Sequence, residues 1–423
     1  MERYKEYVDS GVQWIGEIPS HWEQRRVRYT GKSRNGLTYS PYDVSEDGQG
    51  ILVLRSSNIQ DGKLLLDDNV YVKKDISPDL MVKKGDILIC SRNGSRDLVG
   101  KLTMIDRDLK ASFGAFMMIY RTNMWAPFME KVLSVAIQSY KTLFSTSTIN
   151  QLTNDIFKDF VIPLPPLLEQ EQIVRYLEDK TSKIDAYVSE KEKEILLLQE
   201  LKQKTIADAV TKGLNPDVKM KDSGVSWIGM IPEHWETPKI GSLFVERREK
   251  VSDKDYPALS VSKQGVTPQL ETAVKTDNGD NRKKVCVGDF VVNSRSDRKG
   301  SCGVSSYTGS VSLINIVLKP FADIEGMYFH YLFRSNNYIE EYYRIGRGIV
   351  ADLWTTRYCE MRNIIVPLPP LDEQRAIVSY IEKKCQKLDS LTTELQAEID
   401  HLKEYKQRLI ADVVTGQVNV QNH

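Results

Sequence analysis

Cysteine, histidine and long apolar runs are scarce in this chain, and their scarcity excludes several classes of protein. The 423 residues include five cysteines, none of them in a Cys-x-x-Cys pair, and five histidines. A dispersed, odd number of thiols is typical of a reducing compartment, so we expect a cytoplasmic protein without disulfides. The histidines have no metal-ligand spacing with the cysteines, so we expect no metal site. No run of about 18 apolar residues exists, so we expect no membrane span.

The sequence motifs of common catalytic sites are also missing. The chain has no GxxxxGK[ST] phosphate-binding loop, no GxSxG nucleophile elbow and no HExxH zinc motif. It also lacks the Asn/Asp-Pro-Pro-aromatic box with which amino-methyltransferases hold a flipped base. We therefore predict no catalytic residue and no cofactor bound by this chain. Any chemistry is expected to reside in partner proteins.

Neither sign of charge is in excess. Lysine and arginine together number 58, as do aspartate and glutamate, so the formal net charge is zero. Dedicated nucleic-acid binders are often basic, and any DNA-binding surface must therefore come from local clusters of cations.

What the chain does contain is a duplicated frame. A tryptophan box, DSGVQWIGEIPSHW, spans Asp9–Trp22, and it returns as DSGVSWIGMIPEHW at Asp222–Trp235. A proline box, VIPLPPLLEQ, spans Val161–Gln170, and it returns as IVPLPPLDEQ at Ile365–Gln374. The stretches between the boxes do not resemble each other. A repeated frame with two different inserts suggests one scaffold that presents two different recognition domains.

Each proline box is followed by a long helical pattern. Leu168–Lys212 and Asp372–Thr415 contain no glycine or proline, and both are rich in strong helix formers. Acidic residues fall in each predicted first turn, and Gly213 and Gly416 stand at the predicted ends. Apolar residues recur at coiled-coil spacing. The predicted partner-facing and spacer positions are Ile173, Leu177, Ile184, Val188, Ile195, Ile377, Ile381, Leu388, Leu395 and Leu402.

The spacing of the helices predicts that they run antiparallel. A helix of about 45 residues is roughly 65 Å long. The second insert begins where the first helix ends and finishes where the second helix starts, and a domain of about 150 residues spans only about 40 Å. Antiparallel helices bring those two points together, which predicts a pseudo-two-fold repeat. The alternative is two independent halves with helices that cross solvent unpaired.

Strand and helix patterns alternate irregularly within both inserts. We therefore predict a mixed α/β (α+β) fold with globular domains at 1–160 and 216–364, joined by helices at 161–215 and 365–423 as an antiparallel two-helix coiled coil. The predicted strands are Ile51–Arg55, Asp86–Cys90, Phe116–Tyr120, Asp289–Asn293 and Ser312–Leu318. The predicted helices are Pro127–Leu143 and Gly326–Ile345.

One local pattern is shared by the two inserts. A Gly-Asp turn precedes an apolar strand, which runs into a polar and basic loop, from Lys83 in the first insert and from Cys286 in the second. Arginine can pair with guanine, asparagine with adenine, and serine with phosphate oxygens. A solvated turn held by its own Asx and Ser bonds would have the same composition. The candidate DNA-binding residues are Ser91, Arg92, Asn93, Ser95 and Arg96, and then Ser294, Arg295, Ser296, Arg298 and Lys299.

A second polar cluster precedes each proline box. In the first insert its candidates are Asn150 and Gln151, and in the second they are Tyr343, Arg344 and Arg347. Contact with phosphates or bases is one interpretation, and a loop that ends a helix is the other. Other basic candidates follow each tryptophan box, although runs of this kind are usually solvated faces. They are Arg25, Arg26, Arg28, Lys32 and Arg34, and loosely matching Arg247, Arg248 and Lys250. His21 and His234 repeat beside a tryptophan, which favours a packed structural corner over catalysis.

The order of these features resembles the specificity subunit of type I restriction–modification systems. The resemblance rests on the doubled WIGxIPxHW and PLPPLxEQ boxes, and it covers essentially the whole chain. Leu168 and Asp372 differ from each other at the variable position of the second box, and the boxes are otherwise nearly intact.

The resemblance implies that each insert is a target-recognition domain for one half of a split DNA sequence. The helix pair would set the gap between the halves. It would also dock two methyltransferase subunits and, through them, the restriction and translocase subunits. These partners would use S-adenosylmethionine, ATP and Mg²⁺ to methylate adenine N6 and to cleave DNA. Two other hypotheses stay open, namely an enzyme with its own activity and a protein-bridging scaffold without sequence-specific DNA binding.

Overall fold

Two compact units make up the chain in a computed structural model, which describes residues 2–141, 151–269, 279–347 and 355–421. Unit 1 comprises Met1–Glu190 with Glu398–His423, and unit 2 comprises Lys191–Ala397. Both units combine strands with helices, so the predicted mixed α/β fold is confirmed. Each long helix contributes to both units.

The two long helices span Leu167–Lys212 and Leu371–Val414. Both end at a glycine in the left-handed region, with φ of 75° at Gly213 and 76° at Gly416, as a glycine cap requires. Among the described residues, no helix is long and apolar enough to cross a membrane.

The helices pair with each other in an antiparallel sense within each unit. In unit 1, Asp185 accepts a hydrogen bond from Lys406 Nζ at 2.5 Å, and the earlier Leu177 shares a buried cluster with the later Val413. In unit 2, Lys202 Nζ donates to Asp389 Oδ1 at 2.6 Å. The later Val210 there shares a buried cluster with the earlier Ile381.

The predicted partner-facing and spacer positions of both helices are at least half-buried. Six of the ten are buried, namely Ile173, Leu177, Val188, Ile377, Ile381 and Leu395. The other four are half-buried, namely Ile184, Ile195, Leu388 and Leu402.

An antiparallel four-stranded sheet carries the first insert. Its order is Leu102–Met104, Ile87–Cys90, Met117–Thr122 and Gly31–Asn35. Helix Ala126–Ser139 packs into the core of this unit through Phe128, Val132 and Leu133. Its other strands are Tyr7–Asp9, Glu17–Pro19, Glu23–Arg26, Ile51–Leu54, Ile59–Gln60, Lys63–Leu64, Val70–Val72, Ala111–Phe113 and Val161–Leu164, and its short helix is Asn154–Lys158.

The second insert repeats the four-stranded sheet in the same spatial order. That order is Cys302–Val304, Phe290–Asn293, Asn315–Pro320 and Phe244–Glu246, again antiparallel. Its other strands are Met220–Asp222, Met230–Pro232, Lys250–Val251, Leu259–Ser262, Gly265–Pro268, Arg282–Val285 and Gly309–Val311. The two inserts therefore share a topology that their sequences do not reveal.

The helix predicted over Gly326–Ile345 is wrong as a single element. The structure has two helices, Gly326–Phe333 and Asn336–Arg344. The break occurs at Ser335, whose hydroxyl accepts a hydrogen bond from the Tyr338 backbone N–H as an N-cap. A short helix, Tyr358–Met361, precedes the second proline box.

Candidate nucleic-acid interface

A glutamate from each proline box joins that box to the tryptophan box of its own unit. The Glu169 carboxylate lies 2.7 Å from His21 Nε2 and accepts the Trp22 indole N–H at 2.9 Å. The Tyr4 hydroxyl donates to the same carboxylate at 3.3 Å. Glu169 is also in the first turn of its helix, where a negative charge stabilises the helix dipole. The two boxes therefore form one joint at the start of the long helix.

Unit 2 repeats this joint. Glu373 Oε2 lies 2.8 Å from His234 Nε2 and accepts the Trp235 indole N–H at 3.1 Å. The glutamine that follows each glutamate donates from its side chain to the carbonyl of the preceding proline, Pro165 or Pro369, at 2.8 Å in both units. The repeated histidines thus serve the joint, as a packed structural corner predicts.

The Gly-Asp turn of each insert holds a buried carboxylate against an arginine. Asp86 accepts the Lys83 backbone N–H at 2.8 Å and two hydrogen bonds from Arg121 at 2.8 and 2.7 Å. These bonds to Asp86 raise the pKa of Arg121. In unit 2, Asp289 accepts two bonds from Arg247 at 2.7 and 3.0 Å. Arg121 lies on strand Met117–Thr122, whereas Arg247 directly follows the edge strand Phe244–Glu246, so the two inserts fix the same turn with arginines from different elements.

The first candidate loop presents two cations. Arg92 and Arg96 are exposed, and no ion pair joins either of them to another of the described residues. The Arg92 guanidinium lies 5.3 Å from the centroid of the Phe116 ring. Ser95 is exposed, and its backbone N–H donates to Asn93 Oδ1 at 3.0 Å in an Asx turn. This loop leaves two guanidinium groups available to an anion or a base.

Ser91 and Asn93 support that loop from within. Ser91 is buried, and its hydroxyl donates to the Phe116 carbonyl at 3.0 Å. The Asn93 side chain donates to the Ser56 hydroxyl at 3.3 Å. Ser91 therefore positions the loop, and Arg92 and Arg96 are its exposed cations.

The second candidate loop differs because its cations are paired with carboxylates. Arg295 donates two hydrogen bonds to Asp297 at 2.9 and 3.1 Å, and Arg298 lies 3.6 Å from the same carboxylate. Lys299 pairs with Glu340 at 3.3 Å. Ser294 is buried, and its hydroxyl donates to the Ile314 carbonyl at 2.6 Å. The side chain of Ser296 lies outside the described residues.

The structure brings the second predicted cluster of each insert beside the loop. Arg92 forms a backbone bridge with Gln151, and Arg295 forms one with Thr355. Arg347 also bridges Thr355, and its exposed side chain lies 3.9 Å from Glu360. Asn150 lies outside the described residues. Two segments that are distant in sequence therefore form one surface in each unit.

The aromatic and basic members of that cluster have unequal exposure. Tyr343 is buried, its hydroxyl donates to the Arg295 carbonyl at 3.1 Å, and burial raises its pKa. Arg344 is exposed, and it donates two hydrogen bonds to Glu341 at 2.6 and 2.8 Å. Tyr343 thus braces the second loop, while Arg344 and Arg347 lie at its surface.

A basic groove adjoins the sheet of each insert. In unit 1 it has a volume of about 660 Å³, its cations are Arg28, Lys32, Arg34, Arg121 and Lys158, and Asp79 pairs with Arg34 there at 2.8 Å. In unit 2 it has a volume of about 500 Å³, its cations are Arg248, Lys250, Lys283 and Arg357, and Glu246 pairs with Arg248 and Lys283 there. The signal that could have found these grooves is the doubling of cations after each tryptophan box, which reads as a solvated face on composition alone.

Comparison with known proteins shows which family these features are similar to. Residues 19–197 match the family model described as Type I restriction modification DNA specificity domain. A protein of Methanocaldococcus jannaschii, assigned provisionally as the MjaX specificity subunit of a type I restriction enzyme, is 27% identical over 96% of this chain and 96% of its own length.

Two further relatives and one solved structure extend the comparison. The StySPI specificity subunit of Salmonella potsdam and the EcoKI specificity subunit of Escherichia coli K12 are each 23% identical over 96% of this chain and 91% of their own length. A solved structure that describes complex assembly and conformational transition of the type I R-M system contains a chain of the same fold. Its TM-score is 0.68 at 17% identity, covering 95% of this chain and 99% of that one. Residues 19–197 thus match a type I restriction–modification DNA specificity domain, and the whole chain, with its doubled boxes, is similar to type I specificity subunits.

Proposed function

We propose that this chain recognises a split DNA target, with one half-site read by each unit. The observation that carries the proposal is the repeated sheet with unlike loops. Strands Ile87–Cys90 and Phe290–Asn293 occupy the same place in the two four-stranded sheets and run into loops of different sequence. A shared scaffold with different loop residues is what two different half-sites would require.

The charges around the loops support DNA as the ligand. Arg92 and Arg96 are exposed cations without a carboxylate partner among the described residues, and a basic groove adjoins the sheet of each unit. Guanidinium groups can pair bidentately with guanine and can also contact phosphates. Because the net charge is zero, we expect weak non-specific binding and a shallow dependence on salt for the chain by itself.

The long helices are proposed to set the spacing of the target and to bind partner subunits. Their antiparallel pairing in each unit gives a stiff element, and a stiff spacer would fix a discrete gap between half-sites. Specificity subunits are not catalytic themselves. We propose two methyltransferase subunits and the restriction and translocase subunits as partners. They would supply S-adenosylmethionine, ATP and Mg²⁺ chemistry directed to adenine N6, in the cytoplasm where the DNA lies.

The test is selection from a pool of random DNA duplexes. The full chain, assembled with its methyltransferase subunit, is used to capture duplexes over several rounds at about 0.15 M salt, and the methyltransferase alone is the control. We expect enrichment of one motif with two defined halves and a gap of constant length. A stable assembly that enriches no motif would instead support the protein-bridging scaffold.

A further inference from the structure

An exposed apolar turn lies at the same position in both inserts. In unit 1 the turn spans residues 114–117, closed by a hydrogen bond from Met117 N–H to the Gly114 carbonyl at 2.8 Å, and Phe116 at its third position is 58% exposed. In unit 2 it spans residues 312–315, closed by the bond from Asn315 to Ser312 at 3.0 Å, and Ile314 at its third position is 41% exposed. Each turn leads into one of the two inner strands of its sheet, Met117–Thr122 or Asn315–Pro320.

Both turns are fastened to the candidate DNA-binding loop by the same contact. The Phe116 carbonyl accepts the Ser91 hydroxyl and the backbone N–H groups of Ser91 and Arg92, each at 3.0 Å. The Ile314 carbonyl accepts the Ser294 hydroxyl at 2.6 Å. The buried serine at the start of each loop therefore holds an apolar side chain at a fixed place beside the loop cations.

The surroundings of both apolar residues are cationic. The Arg92 guanidinium lies 5.3 Å from the centroid of the Phe116 ring. Ile314 lines the basic groove of unit 2 together with Lys250, Lys283 and Arg357, and Glu246, which pairs with Lys283 at 3.0 Å, is the carboxylate among them. The cations by themselves would suit an acidic protein surface, but the apolar side chain among them would then face carboxylates. It suits duplex DNA, which offers phosphates at the rim of the major groove and a single apolar group, the thymine methyl, on its floor.

Isolated exposed apolar residues are common on protein surfaces and usually need no explanation. Here the serine belongs to the local pattern that both inserts share, and an exposed apolar residue recurs in the turn that it holds, although the turn sequences themselves are unlike. We propose that Phe116 and Ile314 are base-contacting residues, each packed against the methyl group of a thymine in the major groove of its half-site. This rests on the proposed DNA-reading function and adds the chemical group that each turn recognises.

The experiment removes that methyl group from the DNA. The full chain, assembled with its methyltransferase subunit, is titrated against its target duplex and against duplexes in which each thymine is replaced singly by deoxyuridine. Every half-site with a target adenine contains an A·T pair and hence a thymine to test. We expect the dissociation constant to rise about fourfold at one thymine in each half-site, which corresponds to about 0.8 kcal/mol for one buried methyl group.

Variants assign each effect to its residue. Phe116→Ala should remove the deoxyuridine effect in one half-site only, and Ile314→Ala should remove it in the other only. Phe321→Ala is the matched control, because Phe321 is also 58% exposed but lies beyond the far end of strand Asn315–Pro320. This control should retain both effects.

Two results would overturn the inference. One is a change below about twofold at every thymine while binding to the target stays sequence-specific. The other is a deoxyuridine effect that persists in both alanine variants, since the methyl group would then contact other residues. Equal dissociation constants for the target and a scrambled duplex would be a different failure, because that result removes the proposed function itself.

Discussion

The arginines of the two loops differ in their ion pairing, and this difference predicts losses of unequal size when each arginine is replaced. Arg92 has no carboxylate partner among the described residues, whereas Arg295 donates two hydrogen bonds to Asp297. If each arginine pairs bidentately with a base, Arg92→Ala should weaken binding of its half-site by about 1–3 kcal/mol. Arg295 must first leave Asp297, so the Arg295→Ala loss should be smaller.

The cost of that release can be estimated from exposure. The side chains of Arg295 and Asp297 are 50% and 38% exposed, and an ion pair this exposed contributes about 0.2–1 kcal/mol. Asp297→Asn removes the competing carboxylate. We therefore expect this variant to bind the second half-site about 1.5- to 5-fold more tightly, with the first half-site unchanged.

The assay is fluorescence anisotropy with three duplexes, which are the full target and two versions with one half-site scrambled. Arg107→Ala is a matched control, since Arg107 is exposed in unit 1 and its ion pair with Asp106 lies outside the loop. Looser binding by Asp297→Asn, or an equal loss on all three duplexes for Arg92→Ala, would refute base reading by these loops. An equal loss on all sequences would indicate phosphate contact instead.

Three further predictions concern the joints, the acid response and the spacer. Glu169→Ala should lower the unfolding free energy of unit 1 by about 3 kcal/mol and Glu373→Ala that of unit 2 by about 2 kcal/mol, because Glu169 has three donors and is the more buried of the two. Amide hydrogen exchange in each unit measures this. Burial lowers the pKa of His330 to about 4, below its ordinary 6.5. Its contribution to stability is therefore complete above pH 6.5 and decreases by about 3 kcal/mol as the pH falls to 4, which His330→Asn should abolish in denaturant titrations. Insertion of one heptad into each long helix should lengthen the gap of the recognised motif and leave both half-site sequences unchanged, as duplex selection would show.

Each of these predictions has a result that contradicts it. Equal losses of unfolding free energy in the two glutamate variants would show that burial and the number of donors do not set the size of the loss. Loss of the acid response in His401→Gln, where an exposed histidine of the second long helix is replaced, would assign that response to another group. An unchanged gap after heptad insertion would show that the helices do not set the spacing.

The frame could be predicted from the sequence because its causes are local or periodic. The predicted helix Leu168–Lys212 differs from the observed Leu167–Lys212 by one residue, since proline, acidic residues and a terminal glycine mark its ends. The partners of Glu169 and Glu373 could not be predicted in the same way. Sequence marks both glutamates as first-turn acids, and only the folded chain brings His21 and Trp22 to one of them.

The topology of the inserts and the positions of their turns could not be predicted from the pattern of residues. Phe116 reads as the start of a strand because it is apolar, yet it lies in a turn and the strand begins at Met117. Ser312–Leu318 reads as one strand, yet Ile314 lies in a turn and the strand begins at Asn315. An exposed apolar side chain cannot be told from a core side chain by hydropathy, because exposure depends on tertiary contacts.

The sequence predicts the separate clusters of the candidate interface, but it does not show that they lie side by side. Sequence singled out the loop residues and the segment before each proline box as separate clusters. The structure joins them through backbone bridges such as Arg92 with Gln151. It also assigns Ser91, Ser294 and Tyr343 to the support of the loops, because a buried hydroxyl must find a partner and theirs donate to backbone carbonyls.

The most direct test of the central claim is a map of methylated adenines in cells that carry this chain with its methyltransferase partner. We expect one motif with two defined halves and a constant gap, modified in both halves. We also expect the modification to disappear when this chain is removed and the methyltransferase is kept. A contiguous motif, or a map that does not change without this chain, would contradict the claim that its two units select the DNA sequence.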